Sequence, residues 1–184
     1  KLNLDILLYK FKNIKMKILS VDAESNGLYG RAFAIGAYVA DGSREIDRFV
    51  SRCPIRGKTN EWAKENVLPA IRDIDIDQPN YAALLEHFYK FYSKHKKGAD
   101  VIAHIPHPVE TRLFRDMVEQ DLDERVFEGP YPLIDVGSIL KSRGKNFESV
   151  EKYLKKNKIS VNFEGSSHHP LYDAIAAENA YQHL

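Results

Sequence analysis

The sequence predicts an α/β domain built on a mixed sheet, and three observations carry the prediction. Three strand-like runs follow one another between residues 17 and 52, separated by turn-forming residues. From residue 60 onward apolar strands alternate with helical patterns, as parallel strands with helical crossovers do. The chain has 184 residues, a length that suits one domain with a sizeable core.

Lys17 to Glu24 reads as the first strand, closed by Ser25-Asn26-Gly27. Residues 31–40, "RAFAIGAYVA", are small and β-prone and form the second strand, ending at the hairpin pair Asp41-Gly42. "REIDRFVSR" (44–52) alternates as a third strand, and its charges place it at an edge. "NEWAKENVLPAIRDI" reads as a helix with Pro69 near its end or at a kink. Residues 81–97 form a clearer helix, with Leu84, Leu85, Phe88, Phe91 and Tyr92 at three- and four-residue spacing, a pattern of core rather than of a base-stacking platform.

"ADVIAHI" (99–105) is a short buried strand, and Pro108 opens the helix "PVETRLFRDMVEQDL". "YPLIDVGSIL" supplies a fifth strand running into a helix, and "SVEKYLKKN" is another helix. The polar loop "KISVNFEGSSHH" leads to the last helix, "PLYDAIAAENAYQHL", with Pro170 at its first turn. Met16-Lys17 reads as a natural start, so residues 1–15 are expected to be an N-terminal extension or upstream sequence, and 16–184 the single domain.

Composition narrows the function. Lys+Arg number 27 against 26 Asp+Glu, so no global field marks a nucleic-acid binder, although a small site for a few nucleotides stays open. The single cysteine, Cys53, has no partner for an internal disulfide, and no CxxC suggests structural zinc. A reducing, cytoplasmic setting is expected. No stretch is long and apolar enough to span a membrane, and the N-terminal residues lack a signal-peptide cleavage site.

Asp22 and Glu24 pose the chemical question. In a strand, residues i and i+2 share a face, so Ile18, Ser20, Asp22 and Glu24 lie on one side and Leu19, Val21 and Ala23 on the other. Two carboxylates near a core repel each other and call for a cation. Further acids stand where strands end and helices begin: Glu110 after the fourth strand and Asp173 in the last helix. Four carboxylates in one cleft suit hard divalent ions, Mg²⁺ or Mn²⁺. Two such ions serve phosphodiester cleavage by activating water and stabilising the leaving oxygen.

These residues resemble a known family. "SVDAESNGL" is similar to the first, D-x-E, motif of the DEDD-type 3′–5′ exonucleases. "HHPLYDA" resembles the third motif of their histidine subclass, with His168 five residues before Asp173. That subclass holds proofreading-subunit-like, oligoribonuclease-like and ribonuclease T-like enzymes. The two motifs stand in order, about 150 residues apart, with a matching succession of strands and helices between them.

The resemblance implies a ribonuclease H-like fold, a five-stranded mixed sheet flanked by helices. It implies Asp22, Glu24 and Asp173 as metal ligands for two Mg²⁺ or Mn²⁺ ions, and His168 as the general base. It also implies that Ser25, Asn26, Gly27 and Leu28 line the pocket of the 3′-terminal nucleotide. The expected substrate is the 3′ end of single-stranded RNA or DNA, RNA favoured because the family's small RNA trimmers are compact stand-alone domains. A homodimer is expected on the same ground.

The second motif departs from the family's His-Asn-x-x-Phe-Asp. "HIPHPVE" places Val109 at the acid's offset and Glu110 one residue later, with Ile105 and Pro108 where Asn and Phe usually stand. Glu110 is the expected fourth ligand, its longer side chain offsetting the shift, and Asp116 is the reserve. Alternatives are a catalytically weakened nucleic-acid-binding module of the same fold and a metal-dependent hydrolase of a small phosphoester. His104-x-x-His107-x-x-Glu110 gives a further option, a single-metal site with imidazole ligands.

Overall fold

A computed structural model describes residues 17–184, so the expected N-terminal extension, residues 1–15, lies outside the described residues. The chain opens with an antiparallel meander: β1 (Lys17–Ser25), β2 (Ala32–Asp41) and β3 (Arg44–Arg52). Asp41 pairs with Arg44 across the tight turn, where Gly42 takes φ +61°, as the sequence signal requires. A short helical turn, α1 (Ala63–Val67), leads to α2 (Tyr81–His95), β4 (Ala99–Ala103) and α3 (Val109–Glu119). Then come α4 (Leu122–Arg125), β5 (Leu133–Asp135), α5 (Val136–Ser142), α6 (Val150–Lys156) and α7 (Pro170–Gln182).

The sheet order is β3-β2-β1-β4-β5, with β4 parallel to both β1 and β5. This is the five-stranded mixed sheet expected, with the charged β3 at one edge. The alternation along β1 sorts two cores. Leu19, Val21 and Ala23 face α2 and α3, in a cluster with Leu84, Phe88, Leu113 and Met117. Ile18 faces the other way, packing with Ile102 of β4 and with Leu140, Leu154 and Ala176 from α5, α6 and α7. Each fully buried Leu or Phe stabilises the fold by about 1.5–3 kcal/mol relative to an exposed one. The stripe on α2 is core, as its spacing predicts: Leu84 and Phe88 are 0% exposed.

One helix is shorter than expected. Of residues 60–74, only residues 61–67 wind. Lys64 N–H bonds the Asn60 carbonyl at 3.1 Å to open one α-type turn, and Ala63–Val67 continue as a π-type turn closed by Leu68 N–H to the Ala63 carbonyl at 2.9 Å. Asn60 starts it, its Oδ1 accepting from the Trp62 and Ala63 amides at 2.9 and 3.4 Å. Pro69 stops an α-helical ladder from propagating, and isolated turns close at Ala70 and Ile74 instead.

Helix α7 lies across β1 and β2 on the Ile18 face. Its close approach depends on Gly36, the β2 residue paired with Asp22. A Cβ at Gly36 would fall 2.2 Å from the backbone carbonyl carbon of Pro170, so only glycine admits the first turn of α7 at this depth.

Candidate active site

The end of β1 outruns its parallel neighbour. The pairing of β1 with β4 ends at Ser20↔Ile102, leaving Asp22 to Glu24 beyond it. Into that gap comes α3, whose first turn carries Glu110, 5% exposed. The Ala23 amide donates to Glu110 Oε1 at 3.0 Å, so the carboxylate takes the place of the missing strand partner. On the opposite face Asp173 rides the first turn of α7, and its Oδ2 accepts from the His168 amide at 2.7 Å.

The four carboxylates respond to one another. Burial raises the pKa of Asp22 well above the ordinary range, and the charges of Asp173, Glu110 and Glu24 raise it further. Burial likewise pushes Glu110 up to about 8 and Asp173 up to about 7, with Glu24 adding to both. A metal-free cleft thus holds protons that a divalent cation would displace. An all-oxygen donor set with one nearby imidazole fits Mg²⁺ or Mn²⁺.

His168 completes the cluster. Its Nδ1 lies 3.7 Å from Glu24 Oε1, and that contact raises the imidazole pKa. Among the described residues, Glu24, His168 and Asp173 are the group whose ligand atoms all lie within 4.8 Å of one another. The backbone of His168 takes φ +71°, held by the hydrogen bond that its N–H donates to the Asp173 carboxylate. Its neighbour is built in the other direction. His169 is 3% exposed, caps α7 by accepting from the Tyr172 amide at 3.4 Å, and sets Nε2 3.4 Å from Asp73. Only one of the two adjacent histidines faces the acids.

Beside the carboxylates lies a pocket of about 460 Å³, walled by Ser25, Gly27, Leu28, Asn60, Trp62 and Val109. Three of the four residues expected to line a nucleotide pocket do line it. Asn26 is the exception, because its amide is spent on the neighbouring loop. Nδ2 donates to the Lys58 carbonyl at 3.1 Å, and Oδ1 accepts from the Asn60 amide at 2.7 Å.

Trp62 went unassigned in the sequence. It is 52% exposed and meets the His168 ring edge-on at 5.0 Å between centroids. Its signal is legible in hindsight: Ala63 and Val67 are buried, so Trp62, the sole tryptophan, stands outside the apolar register of its own segment.

Two other arrangements do not assemble. His104 Nε2 is engaged by the Phe147 carbonyl at 2.7 Å, and His107 Nδ1 lies 3.4 Å from Thr111 Oγ1. With Glu110 on the Ala23 amide, the three do not converge on one ion. Asp116 accepts from Tyr81 Oη at 3.0 Å and from Arg112 Nε at 3.3 Å, so the reserve acid belongs to a separate ion-pair network.

No family model and no curated protein matches the chain. Solved structures do. Exonuclease X in complex with 5′ overhanging duplex DNA is similar at 16% identity and a TM-score of 0.59, over 90% of this chain and 89% of that one. The nuclease domain of 3′hExo, a DEDDh family member, bound to rAMP, is similar at 9% identity and a TM-score of 0.65, over 93% and 92%. Exonuclease I in complex with inhibitor BCBP matches at 12% identity and a TM-score of 0.59, over 92% of this chain and 41% of that one. The chain therefore has the fold of the DEDDh exonuclease structures, as the motif resemblance implies.

Proposed function

We propose that the protein is a metal-dependent 3′–5′ exonuclease that releases nucleoside monophosphates from single-stranded ends. The observation that carries this reading is the convergence of Asp22, Glu24, Glu110 and Asp173, from β1, α3 and α7, beside a pocket of nucleotide size. Asp22, Glu24, Glu110 and Asp173 would hold two Mg²⁺ or Mn²⁺ ions. When bound, such ions make water nucleophilic at neutral pH and stabilise the leaving oxygen.

The chain's own groups do the remaining work. The His168 Nδ1 faces Glu24, which favours the tautomer with its proton there and leaves Nε2 to accept the proton of the attacking water. Leu28, 65% exposed, stands at the pocket mouth as an apolar wedge against the terminal base. Trp62 offers that base an aromatic face, which the second motif does not supply because Pro108 stands where the family usually has Phe. Such stacking is worth about 1–3 kcal/mol per base.

The ligands of two similar structures support a nucleic-acid substrate, one holding duplex DNA with an overhang and the other rAMP. RNA as the preferred strand and a homodimer as the working state belong to this proposal. Among the described residues no helix is long and apolar enough to cross a membrane.

The test is a side-by-side digestion of matched 5′-labelled RNA and DNA oligonucleotides, single-stranded and duplex, with Mg²⁺ or Mn²⁺ and with chelator. Stepwise shortening from the 3′ end, abolished by chelator and fastest on single-stranded RNA, is expected. Binding without shortening would favour the weakened binding module, and hydrolysis of small phosphoesters alone would favour the third reading.

A further inference from the structure

The turn between β1 and β2 separates two pockets, and only one belongs to the site described above. On the far side lies a second pocket, of about 330 Å³, reached across Tyr29. Its walls carry Arg31, Arg56 and Arg112 and no acidic residue, in a chain of near-zero net charge. Arg31 and Arg56 are exposed, and among the described residues neither forms an ion pair. Arg31 instead lies over the Tyr81 ring, 5.5 Å from its centroid. Arg112 ties the pocket to the turn by donating to the Tyr29 carbonyl, while its Nε stays 3.3 Å from Asp116. Tyr29 itself is 76% exposed on the dividing turn.

We propose that this arginine-lined pocket holds the backbone phosphates of the nucleotides preceding the 3′-terminal one, with Tyr29 stacking a base as the strand crosses the turn. Ser25, Gly27 and Leu28 face the terminal pocket, while Asn26, Tyr29 and Gly30 face the second. A strand leaving the first pocket over this short turn enters the second. Exposed guanidinium groups without acidic partners suit phosphate, which they contact in a bidentate manner. Alternation of arginine and an exposed aromatic is how single strands are held without sequence preference. The subsite makes the enzyme one that senses strand length. This rests on the exonuclease reading of the neighbouring acids, and the experiment separates the two.

Binding is measured by anisotropy in chelator, so that no cleavage intervenes. A labelled strand of about six nucleotides, within the site sizes of single-strand binders, is compared with a labelled nucleoside 5′-monophosphate that reaches the terminal pocket alone. In the Arg31→Gln/Arg56→Gln double variant the longer strand should bind about 10-fold or more weakly, and the mononucleotide unchanged, since charge-assisted contacts to phosphate are lost. The slope of log Kd against log salt should fall by about 1.4, or 0.7 per lost contact on a single strand. Lysine at both positions should restore most of the affinity, because it keeps the charge.

Equal weakening of both ligands, or an unchanged salt slope, would overturn the subsite. So would displacement of strand and mononucleotide alike by inorganic phosphate, which would make the pocket a free-anion site. A wild type that prefers the longer strand yet never shortens it supports the subsite and sinks the exonuclease. A wild type that shortens strands, with a double variant that binds both ligands as the wild type does, sinks the subsite alone.

Discussion

His168 and His169 are adjacent in the chain, yet their tasks differ. His168 borders the acids with its Nδ1 turned to Glu24, whereas His169 is buried as the cap of α7. His168→Ala should lower kcat by roughly 10²–10⁴-fold, the usual contribution of a positioned base, while leaving metal affinity largely intact. His169→Ala should keep kcat within a few-fold but lose about 1 kcal/mol of stability with the cap, read as a lower Tm. Only neutral imidazole accepts a proton, so wild-type activity should fall as pH drops through the His168 pKa. In the metal-free molecule Glu24 holds that pKa above the ordinary value of about 6.5. A dead His169→Ala beside a working His168→Ala would exchange the roles. Glu110 invites a similar comparison: Glu110→Gln should cost activity nearly as heavily as loss of Asp22, and Asp116→Asn little, because Asp116 serves Tyr81 and Arg112. The reverse ranking in kcat/KM would remove Glu110 from the site.

At the scale of elements, the site exists because α7 and α3 reach the end of β1 from opposite faces of the sheet. Gly36 governs the first approach. Gly36→Ala would set a methyl group 2.2 Å from the Pro170 backbone, and α7 would have to lift, carrying Asp173 away from Asp22. Overpacking of this kind costs about 1–3 kcal/mol. The variant should show both a lower Tm and a loss of metal-dependent activity greater than the loss of folded protein; unchanged Tm and kcat would show that α7 is not gauged by this contact. Most of the geometry was legible in the sequence, because the acids sit at strand ends and first helical turns, which local patterning reveals. Trp62 was not, since residues 60–74 read as one helix whereas a π-type turn and Pro69 cut it short and turn the indole to His168. Nor was Asn26, whose orientation follows from bonds to Lys58 and Asn60, more than thirty residues away.

Taken as a whole, the metal-free molecule carries a concentration of negative charge that its fold must tolerate. Glu110 and Asp173 hold their protons to about pH 8 and 7, whereas in the unfolded chain such groups titrate near pH 4. Between those values the folded chain binds more protons than the unfolded one, so stability falls as pH rises. In chelator, Tm should therefore decline from pH 5 to pH 8, and Mg²⁺ or Mn²⁺ should raise it more at pH 8 than at pH 5. Asp22→Asn removes one carboxylate from the cluster and should raise the metal-free Tm at pH 8, because it relieves the repulsion that raises the neighbouring pKa values. A Tm that ignores both pH and metal would mean that the acids do not act together.

Asp22 belongs to all three scales, since it is a proposed metal ligand, faces Gly36 across the sheet and adds to the charge of the cluster. The decisive measurement is release of nucleoside monophosphates from the 3′ end of a 5′-labelled oligonucleotide, by wild type and Asp22→Asn, at saturating Mn²⁺. The wild type should shorten the strand one nucleotide at a time, and the substitution, which keeps the shape of the side chain but removes its charge, should lower turnover by orders of magnitude. Undiminished shortening by Asp22→Asn would contradict the metal-dependent exonuclease.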